Sequence, residues 1–246
     1  MKTKSKALLL TLCAVLLVAA SVLGTMAYLT STDTVTNTFT VGKVEIKLDE
    51  AKVTADGIPV ESAARVTENS YKLMPGNTYT KDPTVTVLKG SEDSYVRMKV
   101  TFNNAAALME MLPNANNLED FTADEIALIK KVAPILFLTN YMEVDSVWLP
   151  EYTMFGMEKT LADPNYFVYD AANDTVTYIF YYPAMVKAKD VAAGDLALEP
   201  IFTEISLPEH VTGEQLKALD NFKITVVAEA IQAGSFTDAA DAWSHF

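Results

Sequence analysis

Between residues 95 and 102 apolar and polar side chains alternate without a break. Val96, Met98, Val100 and Phe102 fall on one parity, and Arg97, Lys99 and Thr101 on the other. A period of two puts the two sets on opposite faces of an extended chain, so the segment is predicted as a strand with one buried face. Met74-Pro75-Gly76-Asn77 is a turn signal that leads through Tyr79 to Thr84-Val85-Thr86-Val87. Asp170-Ala171-Ala172-Asn173-Asp174 separates the apolar runs 166–169 and 175–182, as in a hairpin. Residues 201–207 and 222–230 add two more strands, the second with Ile224, Val226 and Ala228 on one face.

Nearer the N-terminus the alternation changes phase. Val35, Phe39 and Val41 occupy odd positions in a stretch whose even positions are Thr34, Thr36, Thr38 and Thr40. Beyond Gly42 the apolar residues Val44, Ile46 and Leu48 occupy even positions. A phase switch at a glycine predicts a bulge, bend or break, and hence a first strand that need not share its neighbour's sheet. Helical signals sit in the middle and near the end. Asn104 caps a predicted helix through Leu112, and Thr122 with Glu125 forms a capping box ahead of Ile126, Ile129 and Val132, with Pro134 just beyond the expected end. A second box, Thr212 with Gln215, opens a short helix to Asp220, and residues 237–243 form a last turn. Together these elements predict an all-β fold, an antiparallel β-sandwich with helical insertions and no firm internal domain boundary.

The first residues change that picture by adding a targeting segment. Lys2, Lys4 and Lys6 precede an apolar run from Ala7 to Leu23, and Thr25 and Ala27 place small residues at the −3 and −1 positions of a signal peptidase site before Tyr28. The reading is a signal peptide over 1–27, an N-terminal extended segment over 28–42 and a folded body over 43–246. The alternative is a retained anchor, since the apolar run lies at the lower limit of what spans a bilayer. Cleavage removes three lysines and no acidic residue, which takes the formal net charge from −13 to −16, and it also removes Cys13, the only cysteine. A chain this acidic is a poor partner for nucleic acid or an anionic lipid surface, so a membrane enters only before cleavage. With no cysteine left, an exported body depends on its core.

Candidate chemistry is sparse. The two histidines, His210 and His245, stand in no metal-binding spacing, and neither a nucleophile elbow nor a glycine-rich phosphate loop is present. No catalytic, cofactor or metal residues are assigned, and the chain is not read as an enzyme. Weak calcium binding among acids such as Asp163, Asp170 and Asp174 stays open beside the simpler reading of a solvated acidic surface. The run Tyr178-Ile179-Phe180-Tyr181-Tyr182 suits either a carbohydrate-stacking platform or a strand covered on both faces, and β-propensity favours the strand.

Several segments taken together resemble a known family. Gly24-Thr25-Met26-Ala27-Tyr28-Leu29-Thr30, then Thr38-Phe39-Thr40-Val41-Gly42-Lys43-Val44, Pro75 to Val85, the strand Tyr95 to Val100, and Ala228 to Phe236 with Ala239-Ala240-Asp241-Ala242-Trp243 are similar to stretches of the TasA/camelysin family. The resemblance implies a jelly-roll-like secreted subunit of an extracellular biofilm matrix fibre, processed by a SipW-type signal peptidase. It also implies that the segment 28–42 leaves its own subunit and completes a sheet in the next, with Val35, Phe39 and Val41 as the inserted side chains and Gly42 as the joint. The expected partners are further copies of the chain, head to tail, and minor matrix or anchoring proteins. The metallopeptidase label attached to camelysin does not carry over, because His-Glu-x-x-His is absent. The alternative function is a monomeric cell-surface binding domain or hydrolase for carbohydrate or peptide, in which 28–41 is an ordinary first strand.

Overall fold

The computed structural model describes residues 6, 11–17, 42–113, 118–141, 144, 147–150 and 157–246. The chain divides into two units, 1–41 and 42–246. In the first, residues 11–17 are helical (α1). Among the described residues no helix is long and apolar enough to cross a membrane.

The second unit is β-rich, with all its strand pairs antiparallel. Strands β1 (Ile46–Asp49), β3 (Thr84–Val87) and β7 (Leu196–Ala197) form one sheet in the order β1-β3-β7. Strands β4 (Ser94–Asn103), β5 (Phe167–Asp170), β6 (Thr175–Tyr181) and β9 (Ile224–Gln232) form a second in the order β5-β6-β4-β9. A short pair joins β2 (Thr78–Thr80) to β8 (Glu204–Ser206). The period-two pattern explains how these sheets share a core. Val96, Met98, Val100 and Phe102 of β4, Val176, Tyr178 and Phe180 of β6, and Val85 and Val87 of β3 belong to one buried cluster. Each large apolar side chain so buried contributes about 1.5–3 kcal/mol.

The hairpin forms as expected, with Asp170 opposite Thr175. Its turn is held by the Asp170 carboxylate, which accepts hydrogen bonds from the amides of Ala172 and Asn173. The run from Tyr178 to Phe180 is buried in the sheet, as the strand reading requires. Arg97 does lie on the opposite face of β4 from the core, yet it is only 8% exposed. The closing helix α6 (Ala239–Ser244) and the residues just after it cover it: the guanidinium sits 4.3 Å from the Trp243 ring centre and 4.9 Å from that of Phe246.

The helices α2 (Ala105–Met111) and α3 (Ala123–Leu138) lie between β4 and β5 in the chain and contribute Leu108, Val132, Ile135 and Leu138 to the core. Two details differ from the sequence reading. Asn104 precedes α2 in a left-handed conformation, φ 53°, with no capping bond from its side chain; the Asp174 carboxylate accepts from the Ala106 amide instead. Pro134 lies inside α3 rather than beyond it. A proline removes the bond its own N–H would have made one turn back, and its ring crowds the carbonyl there. Burial of Ile135 and Leu138 in the next turn holds the helix together across that gap. The capping boxes at Thr122/Glu125 and Thr212/Gln215 both form, although the second opens a helix α5 of only Gly213–Lys217. Between them stands α4 (Met157–Ala162).

Candidate strand-acceptor groove

Hydrogen-bond phase along β9 follows from its partners. The Asn103 amide bonds to the Lys223 carbonyl, and the Ala233 amide to the Asp93 carbonyl, so odd residues of β9 turn their main-chain groups toward β4. In an antiparallel strand the even residues then turn theirs away. Ile224, Val226, Ala228 and Ala230 therefore point N–H and C=O groups outward along the sheet edge, and no main-chain hydrogen bond meets them there among the described residues. Their side chains share the face of Val96, Met98, Val100 and Phe102, their β4 partners, but stay only half-buried, and among the described residues no strand pairs with the outer edge of β9.

The edge of the other sheet has a similar gap. The Leu88 amide bonds to the Glu45 carbonyl, so Glu45, Lys47 and Asp49 face β3 while Ile46 and Leu48 turn their main-chain groups outward. Further along the same edge, Glu50 exchanges two main-chain bonds with Val66, both 2.8 Å. The segment 66–73 thus continues the edge where β1 ends.

Between this segment, β1 and the start of β9 runs an open groove of about 650 Å³. Its apolar lining is Leu48, Val66, Tyr71, Leu73, Pro83, Ile205, Phe222, Ile224 and Val226. A second hollow of about 560 Å³ shares Tyr71, Leu73, Asn221 and Phe222 with it and extends it toward Leu216 and Leu219.

The polar end of the groove is densely bonded. Lys81 Nζ lies 2.5 Å from Glu50 Oε2, and Asn69 donates from Nδ2 to Glu50 Oε1 at 2.9 Å and to the Ala51 carbonyl at 2.8 Å. Burial, then the Glu50 charge, push the Tyr71 phenol above its ordinary range, and its hydroxyl donates to the Thr80 carbonyl. Beside it, Arg65 bridges Asp49 at 2.6 Å and Asp82 at 2.8 Å, and Lys47 also reaches Asp49 at 2.6 Å. Burial by itself would raise the Asp49 carboxyl, but hydrogen bonds from Lys47 and Arg65 outweigh it and hold the group below the usual carboxylate range.

Of the residues singled out from the sequence, Thr25, Ala27, Tyr28, Val35, Phe39 and Val41 lie outside the described residues. Gly42 opens the second unit and is exposed. A Cβ built there would meet Glu92 Cγ at 2.7 Å, so the glycine permits a close approach as the chain enters β1. The acids named for calcium serve local main-chain bonds: Asp163 accepts from the Asn165 amide, Asp170 caps the hairpin turn and Asp174 caps α2. His210 Nε2 lies 2.9 Å from the Met111 carbonyl, and His245 Nδ1 lies 2.8 Å from the Asp241 carbonyl. Among the described residues no three His, Cys, Asp or Glu side chains converge as a metal site. The groove itself escaped the sequence reading, because its walls come from segments more than a hundred residues apart. The apolar parity of Ile224, Val226 and Ala228 was the one local signal for it.

No protein-family model, no curated protein and no solved structure matches this chain.

Proposed function

We propose that this protein is a secreted structural subunit of an extracellular biofilm matrix fibre. Each copy donates residues 28–42 as a strand to the groove of the next copy. The observation that carries the reading is the outward main-chain edge of β9 beside an apolar groove, in a chain whose N-terminal segment alternates apolar and Thr residues. An unpaired edge is a template for another strand, and alternate side chains of the incoming strand supply specificity.

The dimensions agree. At about 3.3 Å per residue, the eight residues 34–41 extend roughly 26 Å, comparable with the length of β9. Val35, Phe39 and Val41 share one face of such a strand and would cover the half-buried Ile224, Val226 and Ala228. Gly42 would leave the joint to the body free of a side chain. In this reading the two larger sheets are the layers of a jelly-roll-like sandwich, and the donor enters at the groove between β1 and the start of β9. A donor that enters a different copy makes a head-to-tail contact that does not close on itself, so the assembly grows as a filament. Processing by a SipW-type signal peptidase after Ala27 would release the donor at Tyr28 outside the cell.

The test compares purified 28–246 with 43–246 by electron microscopy and by denaturing-gel ladder. Filaments from the first and a folded monomer from the second support strand donation. Monomers from both contradict self-assembly and turn attention to the groove as a ligand site on a monomeric surface domain.

A further inference from the structure

The buried end of the groove brings together a primary amine, a carboxamide and the carboxylate that bonds to both. Lys81 and Glu50 are each under a tenth exposed, and the Glu50 carboxylate receives Lys81 Nζ on one oxygen and Asn69 Nδ2 on the other. The Asn69 side-chain carbonyl accepts a hydrogen bond from the Val53 amide at 3.1 Å. The Tyr71 ring lies 6.0 Å from Lys81 Nζ and closes the site on one side. A salt bridge alone would need the lysine and the glutamate. It would not need an amide whose leaving nitrogen and carbonyl oxygen are both already held.

We infer that Lys81 and Asn69 join in an intramolecular isopeptide bond, with Glu50 as the proton carrier. Glu50 takes a proton from Lys81 Nζ, and the freed amine attacks Asn69 Cγ to form a new C–N bond. The Val53 N–H faces the oxygen on which negative charge develops, the arrangement that stabilises a tetrahedral intermediate. Glu50 passes protons to Asn69 Nδ2 through its other oxygen, and the C–Nδ2 bond breaks. Nζ gives up two protons in all and the departing nitrogen gains two, so ammonium leaves and Glu50 returns to the carboxylate. No oxidant or further reactant enters. Holding both reacting groups on one carboxylate replaces a collision in solution by a step within one molecule.

The bond would tie the segment 66–73 to the link between β2 and β3, fixing one wall of the groove. The only cysteine, Cys13, precedes the expected cleavage point, so a disulfide is closed to the mature body. The inference stands apart from fibre formation, since the three groups lie within one folded body.

Peptide mapping of the full-length protein purified from its host tests it. Trypsin acting on the cross-linked chain yields peptide 66–72 joined through Asn69 to Lys81 of peptide 73–89, with the intact mass lower by one ammonia. Lys81→Arg, Asn69→Ala and Glu50→Gln variants each lose the branched peptide, and Glu50→Gln keeps both reacting groups, so its loss points to proton transfer. Linear peptides cut after Lys81, with the full calculated mass, overturn the inference. Ammonia loss confined to a linear peptide also overturns it, because cyclisation at Asn69-Ser70 then accounts for the mass.

Discussion

Two carboxylates make the fold sensitive to acid. Glu229 of β9 lies 2.5 Å from Arg97 Nε and 2.8 Å from Lys99 Nζ, across the strand pair that forms the outer edge of the larger sheet. Burial alone would raise its pKa, yet the bonds from Lys99 and Arg97 bring it below the ordinary value of 4.5. Asp49 is lowered from 3.8 against the same opposing burial. A carboxylate whose pKa is depressed by folding adds stability that is complete above its unfolded pKa and lost as pH falls through the folded value. Urea midpoints should therefore hold steady from about pH 7 to about pH 5 and fall below about pH 4, and Glu229→Gln should lower the neutral midpoint while flattening part of that fall. A midpoint that rises on acidification would contradict these assignments.

At the scale of elements, main-chain phase in β9 separates the strand's two jobs. A proline at Ala228 removes an outward N–H, which an edge strand tolerates, whereas a proline at Val227 removes a bond to β4. Ala228→Pro should give a folded protein that does not form filaments, and Val227→Pro should unfold or lose several kcal/mol, on the order of 3. Circular dichroism with electron microscopy reads both, and filaments from Ala228→Pro would remove β9 as the acceptor. The same strands show what was legible beforehand. Alternation identified β4 and β6 because both faces of the pattern are decided by burial, and the capping boxes identified helix starts because their bonds are local. Pro134 misled because tertiary burial of Ile135 and Leu138 outweighs one missing bond. Arg97 appeared solvent-facing because the aromatic residues that cover it, Trp243 of α6 and Phe246 beyond it, lie far along the chain. The groove beside β9 and the Lys81, Glu50 and Asn69 cluster depend on which segments meet, and beyond the apolar parity of Ile224, Val226 and Ala228 no local pattern encodes that.

For the whole molecule, charge and edge work against each other. With a formal charge of −16 after cleavage, copies repel, and approach of one groove to another copy's donor is opposed over roughly a Debye length, about 8 Å at physiological salt. Assembly should accelerate as salt rises or as pH moves from about 7 toward 5, a range in which Asp49 and Glu229 keep their ion pairs. Scattering traces that do not respond to either variable would contradict electrostatic control. The most direct measurement of strand donation is residue-resolved amide exchange on 43–246 with and without a synthetic peptide of residues 28–42. Strand donation should add protection at Ile224, Val226, Ala228 and Ala230, the outward-facing amides, while the odd-numbered amides of β9 keep the protection β4 already gives them. No change along β9, or protection confined to another edge, would contradict it.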